Sequence, residues 1–86
     1  MLIYSRSGHG FKSDVRLANC VGVIDSDYRG ELMVKLTNDS ATAFRVNAGD
    51  RIAQFIIAPA PQFEFEAQEV LTLTERGENG FGSTGA

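Results

Sequence analysis

Glu31-Leu32-Met33-Val34-Lys35-Leu36-Thr37 is the most regular stretch of the chain. Leu32, Val34 and Leu36 fall on one face, and Glu31, Met33, Lys35 and Thr37 on the other. A period of two predicts a half-buried β-strand. Asn38-Asp39-Ser40 follows as a turn, because short polar side chains bond their own backbone. Working outward, a short strand is predicted at Ala43–Val46, then a second turn at Asn47-Ala48-Gly49-Asp50. Arg51 to Ala58 is a longer apolar run stopped by Pro59 and Pro61, which remove ladder donors. Phe63, Phe65 and Ala67 alternate with Glu64, Glu66 and Gln68, and Leu71 and Leu73 with Thr72 and Thr74. Upstream, Leu2–Tyr4, Val15–Ala18 and Cys20–Ile24 are further strand candidates. No segment sustains a helical period, and there is no internal repeat. The prediction is an all-β sandwich or barrel over residues 1–74, closed by a tail at 75–86.

Size and composition then exclude several classes. The chain has 86 residues, one cysteine and one histidine. A domain this short buries only ~60% of the surface its unfolded chain exposes. One cysteine excludes an internal disulfide, and one cysteine with one histidine cannot build a structural zinc site. Assembly is the remaining source of stability, so an oligomer is expected. The formal net charge is −3. Residues 1–45 carry six basic and five acidic side chains, residues 46–86 two basic and six acidic. An acidic chain without a basic stripe is a poor nucleic-acid binder. No apolar run approaches the ~18 residues of a membrane span, and no signal-peptide layout opens the chain. A cytoplasmic protein with Cys20 reduced is expected.

Four clusters could carry chemistry. In the tail, Gly77, Gly80, Gly82 and Gly85 fall within nine positions, with Phe81 the only aromatic. Such backbone is costly to order, so a frayed end is one reading. In the other, Gly-Phe-Gly-Ser-Thr-Gly at 80–85 approaches a phosphate closely, with Ser83, Thr84 and Arg76 as donors and Phe81 stacking on a base. It lacks the lysine of a Walker A loop. The second cluster, Arg6-Ser7-Gly8 with Gly10 and Lys12, reads as a polar loop after a strand, either a solvated turn or half of a triphosphate clamp. His9 within it reads as a solvated side chain. The third, Asp25-Ser26-Asp27-Tyr28-Arg29-Gly30, is either an Asx-type turn or a site where a carboxylate orients or deprotonates a water while Tyr28 faces a sugar or base. The fourth is Gln54, whose amide must find partners or cost about 1–3 kcal/mol if buried; a solvated face opposite Ala53, Phe55 and Ile57 is the simpler reading.

Read together, RSGHGFK at 6–12, NCVGVIDSDYRGE at 19–31, GDRIAQ at 49–54 and RGENGFGSTG at 76–85 resemble four of the five ordered motifs of the trimeric dUTPase family, in order and in spacing. The resemblance implies a jelly-roll-like β-barrel assembled as a homotrimer, with the C-terminal arm of one subunit reaching another's active site. It implies hydrolysis of dUTP to dUMP and pyrophosphate, which supplies dUMP and keeps uracil out of DNA. Water attacks the α-phosphorus in line, with Mg2+ held by the triphosphate and waters rather than by protein ligands. Carried over by position, Asp25 activates the water. Asn19 and the hairpin it opens, through Val23, Ile24 and Asp27, form the uracil pocket, and Tyr28 packs under the deoxyribose. Arg6, Ser7 and Gly8 meet the phosphates, and Gln54 joins the phosphate and water network. From the arm, Arg76, Gly82, Ser83 and Thr84 bind phosphate while Phe81 covers the uracil. Phosphoryl transfer depends mainly on positioning and charge neutralisation, which is what these residue types supply.

The sequence also departs from the family's pattern. The first motif would lie well upstream of Arg6, and here only five residues precede Arg6. That motif carries an aspartate that holds the metal through water, and strands that complete the barrel, so a chain truncated at its N-terminus is expected. Ser5 stands where proline is usual. Asp14 stands where glycine is usual, a mild change because Asp tolerates left-handed backbone. The alternative to an active dUTP diphosphatase is a catalytically impaired dUTPase-like module that binds nucleotide or a protein partner. The sister dCTP deaminase branch shares the barrel, but the Gly-Phe-Gly-Ser-Thr-Gly arm and the Asp-Ser-Asp-Tyr segment argue against it.

Overall fold

The computed structural model describes residues 1–85. Five short strands and one helix follow in the order β1 Leu2–Ser5, α1 Ser7–Ser13, β2 Val15–Leu17, β3 Val21–Val23, β4 Leu36–Asn38 and β5 Ala53–Ile56. The predicted strands at Leu2–Tyr4, Val15–Ala18 and Cys20–Ile24 are present to within a residue or two, and the Arg51–Ala58 run supplies β5 from its middle. They form two open sheets, one of three strands in the order β3-β1-β5 and one of two, β2-β4, with every pairing antiparallel. The central strand β1 sets the registers, with Leu2 opposite Val23 and Ile56, and Tyr4 opposite Val21 and Gln54.

The sheets do not close into a barrel, and the reason is a shortage of ladder partners. Of Glu31–Thr37, only Leu36 and Thr37 enter a strand, because β2 offers three residues to pair with. Among the described residues, Ala43–Val46, Phe63–Gln68 and Leu71–Thr74 form no strand either. Alternation makes a segment ready for an edge; without an edge its N–H and C=O groups stay with water. The turns fare better. Asn38 Oδ1 accepts the Ser40 N–H at 3.0 Å, and the Asp50 N–H bonds the Asn47 carbonyl at 3.0 Å.

The helix corrects the polar loop predicted at 6–12. Seven residues make only two turns, too few for a helical period to register in the sequence, and none of them is buried. The helix ends at Asp14 in the left-handed conformation (φ 53°, ψ 37°), whose N–H closes on the His9 carbonyl. The Asp14 carbonyl then accepts the Asp39 N–H at 2.9 Å, fastening the helix end to the loop after β4. A left-handed backbone costs an ordinary L-residue roughly 1–2 kcal/mol and glycine nothing. Asp14→Gly should therefore be at least as stable as the parent, and Asp14→Val less stable by about that amount. Urea midpoints compare the two, and coincident midpoints would refute the strain at this position.

Burial is concentrated in three side chains, Ile3 (7% exposed), Val15 (1%) and Leu17 (1%). The radius of gyration is 19.1 Å, against about 12 Å for a compact domain of this length. The extents of 55 × 39 × 17 Å describe a slab one layer thick. Leu32, Met33, Phe55, Ile57, Phe63, Phe65, Leu71 and Leu73 all face solvent. The core face expected at Ala53, Phe55 and Ile57 is thus only half-buried at Ala53 and open at the other two.

Candidate active site

The acidic cluster sits where β3 leaves the sheet. Ile24 extends the β1–β3 ladder by donating to the Met1 carbonyl at 2.8 Å, and the chain turns at Asp25. The Asp25 carbonyl accepts the Tyr28 N–H at 3.2 Å. Arg29 Nη1 donates to the Ser26 and Tyr28 carbonyls at 2.9 and 3.1 Å, and the Tyr28 hydroxyl donates to the Glu31 carbonyl at 2.7 Å. The turn is tied by its own side chains. It lines an open cavity of about 990 Å³, with Asp25, Asp27 and Tyr28 on one wall and Ile57 to Ala60 on the other. Among the described residues the one ion pair is Arg16–Asp39, so both carboxylates of the turn remain open to water.

A second cavity of about 410 Å³ adjoins the first through Val23 and Ile24. It replaces the paired hairpin expected from Asn19 through Asp27. β3 spends its ladder on β1, and Ala18 bonds Lys35 at 2.8 Å, so Met33, Val34 and Lys35 stand off from β3. Asn19, Gly22, Val23 and Ile24 line the gap between them. At the closed end the chain reverses tightly, with Cys20 at φ 65° and the Val21 N–H on the Asn19 carbonyl at 2.7 Å. Apolar walls with an amide and free backbone groups suit a flat polar ring. Gly22, Met33 and Val34 line this cavity, and the sequence reading did not single them out. For Gly22 a signal existed, since a glycine inside an apolar strand marks close approach. A Cβ there would lie 3.4 Å from Ile3 Cβ and 3.8 Å from the Asn19 amide nitrogen.

The basic cluster lies at the other end of β1. Gln54 Nε2 donates to the Ser5 carbonyl at 2.8 Å across 49 residues, which holds Gln54 at the end of β1 from which Arg6, Ser7 and Gly8 follow. The amide is exposed and partnered, so its polarity costs nothing. Ile24 lies level with Met1, so five residue steps along β1 separate Arg6 from the start of the Asp25 turn, roughly 17 Å at the usual rise. His9 is not the solvated side chain expected. Its ring meets Phe44 edge-on with centroids 5.0 Å apart, and its buried Nδ1 has no hydrogen-bond partner among the described residues. The helix, invisible in the sequence, turns it inward.

The arm stands apart from both clusters. Within residues 74–85 the hydrogen bonds are all local: Arg76 Nε to the Asn79 carbonyl at 2.8 Å, Gly77 N–H to Thr74 Oγ1 at 3.0 Å, and Ser83 N–H to the Gly80 carbonyl at 3.0 Å. Phe81 is fully exposed and Gly82 is left-handed at φ 75°. Residue 86, the last of the predicted arm, lies outside the described residues. A single chain therefore gathers Asp25, Asp27 and Tyr28 with Asn19, Val23 and Ile24, but leaves Arg6, Ser7, Gly8 and Gln54 at the far end of β1. Arg76, Phe81, Gly82, Ser83 and Thr84 stay with neither group. Among the described residues, no three His, Cys, Asp or Glu side chains come together as a metal-ligand set, and no helix is long and apolar enough to cross a membrane.

Comparison with known proteins meets this arrangement along the whole chain. Over 84 residues it is 54% identical to a deoxyuridine 5'-triphosphate nucleotidohydrolase of Gamma-proteobacterium EBAC31A08, covering 98% of this chain and 60% of that protein. It is 51% identical to the protein of the same name from Acinetobacter baumannii strain AYE, and 50% to that of Glaesserella parasuis serovar 5, each over 98% of this chain and 56% of the relative. The chain thus spans somewhat more than half the length of these relatives. The dUTPase family model matches residues 1–85, a stretch that holds both cavities, the basic cluster and the arm, so the chain belongs to the dUTPase family.

Proposed function

We propose that this chain hydrolyses dUTP to dUMP and pyrophosphate, with Asp25 orienting and deprotonating the attacking water. The observation that carries this is the unpaired Asp25 on a self-tied turn with Tyr28, next to a cavity of about 410 Å³ fit for one flat ring. Uracil occupies that cavity against Asn19 and the backbone of Val23 and Ile24. The deoxyribose lies on Tyr28, and the triphosphate runs out past Asp25. Mg2+ belongs to this scheme as a companion of the triphosphate. Among the described residues no three His, Cys, Asp or Glu side chains gather to hold it, so the triphosphate and water would be its ligands.

The phosphate-binding groups come from other copies of the chain. Arg6, Ser7, Gly8 and Gln54 lie at the wrong end of β1 to serve their own Asp25, and the arm's hydrogen bonds stay within it. An assembly of three copies with shared sites would bring the three groups together and cover the exposed apolar side chains of the slab. The reaction belongs in the cytoplasm, where deoxynucleotides are made. If the parts of the site never meet, the chain binds nucleotide without turning it over. Pyrophosphate release from dUTP, compared with dTTP, UTP and dCTP with and without Mg2+, tests the activity. Light scattering alongside it tests the assembly. The expected result is Mg2+-assisted release from dUTP alone, by a trimer. A folded monomer across the micromolar range that binds dUTP and releases nothing would replace the enzyme with a binding module.

A further inference from the structure

Gly30 closes the acidic cluster, two residues after Tyr28, and has no obvious reason to be glycine. Its φ lies outside the left-handed region, so its backbone is one that any L-residue adopts. What it lacks is room. A Cβ at Gly30 would stand 2.6 Å from Tyr28 Cζ and 2.9 Å from Cε1, and would collide with the hydroxyl oxygen. Real Cβ atoms essentially never come within 3.0 Å of another group. The ring is held at both ends over this bare backbone. At its root the Tyr28 N–H bonds the Asp25 carbonyl at 3.2 Å, and at its tip the hydroxyl bonds the Glu31 carbonyl at 2.7 Å. An aromatic ring is flat and stiff, so a methyl group beneath it cannot be absorbed by bending. The whole ring must rotate, and the Glu31 bond must break.

We propose that Gly30 is the seat of the Tyr28 ring, and so a positioning residue for recognition of the sugar. This rests on the proposal that Tyr28 walls the deoxyribose. The selectivity at stake is for a 2′-deoxyribose over a ribose, because a wall set at fixed depth excludes a hydroxyl by its position. The base cavity is walled by other residues, Asn19, Gly22 and Met33 among them, so choice of base does not depend on Gly30. Nor does folding, since Gly30 and Tyr28 are both exposed.

The test uses the whole chain, with dUMP, UMP and dTMP as ligands that are not turned over. Tyr28 and Tyr4 are the only tyrosines, so ring-labelled tyrosine gives two sets of NMR signals, and Tyr28→Phe assigns them. Gly30→Ala should shift the Tyr28 signals, leave those of Tyr4, and keep the melting temperature. It should lower the preference for dUMP over UMP by roughly tenfold, part of the ~10² that shape alone gives against an added hydroxyl. The preference for dUMP over dTMP should hold. In a Tyr28→Ala background, Gly30→Ala should add nothing, because the ring it displaces is gone. Unmoved Tyr28 signals, or two effects that add independently in the double variant, would overturn the seat. If Tyr28→Ala itself leaves the preference for dUMP over UMP unchanged, the sugar wall falls, and the selectivity role of Gly30 with it.

Discussion

Asp25→Asn is expected to keep nucleotide binding and to lose at least ~10²-fold in turnover, the scale of a general base. The substitution is nearly isosteric, and nothing in the fold leans on the carboxylate. The Asp25 side chain is exposed and, among the described residues, forms no ion pair; it is the Asp25 backbone carbonyl that closes the turn on Tyr28. The loss should therefore be one of chemistry alone. Removing a negative charge beside a triphosphate should leave dUTP affinity equal or slightly better. Single-turnover pyrophosphate release with calorimetric binding separates the two effects. Turnover within a few-fold of the parent would remove Asp25 from the role of base. The neighbouring Asp27 lines the same cavity, so Asp27→Asn removes an equal charge from the site while keeping the proposed base.

Cutting the chain after Glu75 is expected to cost turnover heavily and to leave the ligand-free protein unchanged. Among the described residues the arm's hydrogen bonds run only within 74–85, so its loss removes no hydrogen bond to the sheets. Melting temperature and oligomeric state without ligand should barely move. On the proposed function, the cut would take Arg76, Ser83 and Thr84 away from the phosphates of dUTP and remove the cover that excludes water during the reaction. Phe81→Ala isolates one part of this. Base–aromatic stacking is worth roughly 1–3 kcal/mol, so dUTP binding should weaken by about one to two decades. Dissociation of the oligomer on truncation would make the arm a structural strap. Unchanged binding and hydrolysis would make it a frayed end.

The sequence by itself narrowed the chemistry to candidates. The residue types that can polarise a water, cradle a phosphate or stack on a base are side-chain properties, so Asp25, Arg6, Tyr28 and Phe81 stood out by type beside plainer structural readings, and only the resemblance to four ordered motifs attached expected roles to them. So could β1, β2, β3 and the two turns, because alternation and Asx chemistry act within a few residues. What only the tertiary structure decided was who meets whom. Whether Glu31–Thr37 or Phe63–Gln68 becomes a strand depends on a partner edge, and no alternation encodes the partner's presence. The separation of Arg6 from Asp25 follows from the antiparallel register of β1 with β3, which sends the two ends of one four-residue strand in opposite directions. The helix at Ser7–Ser13, and with it the turning of His9 onto Phe44, was too short to leave a period. Gly30 looked like part of an ordinary turn until the Tyr28 ring was seen above it. Side-chain chemistry is carried by the residue itself and can be read one letter at a time. Pairing and room are properties of two segments at once, and they exist only when the chain is folded.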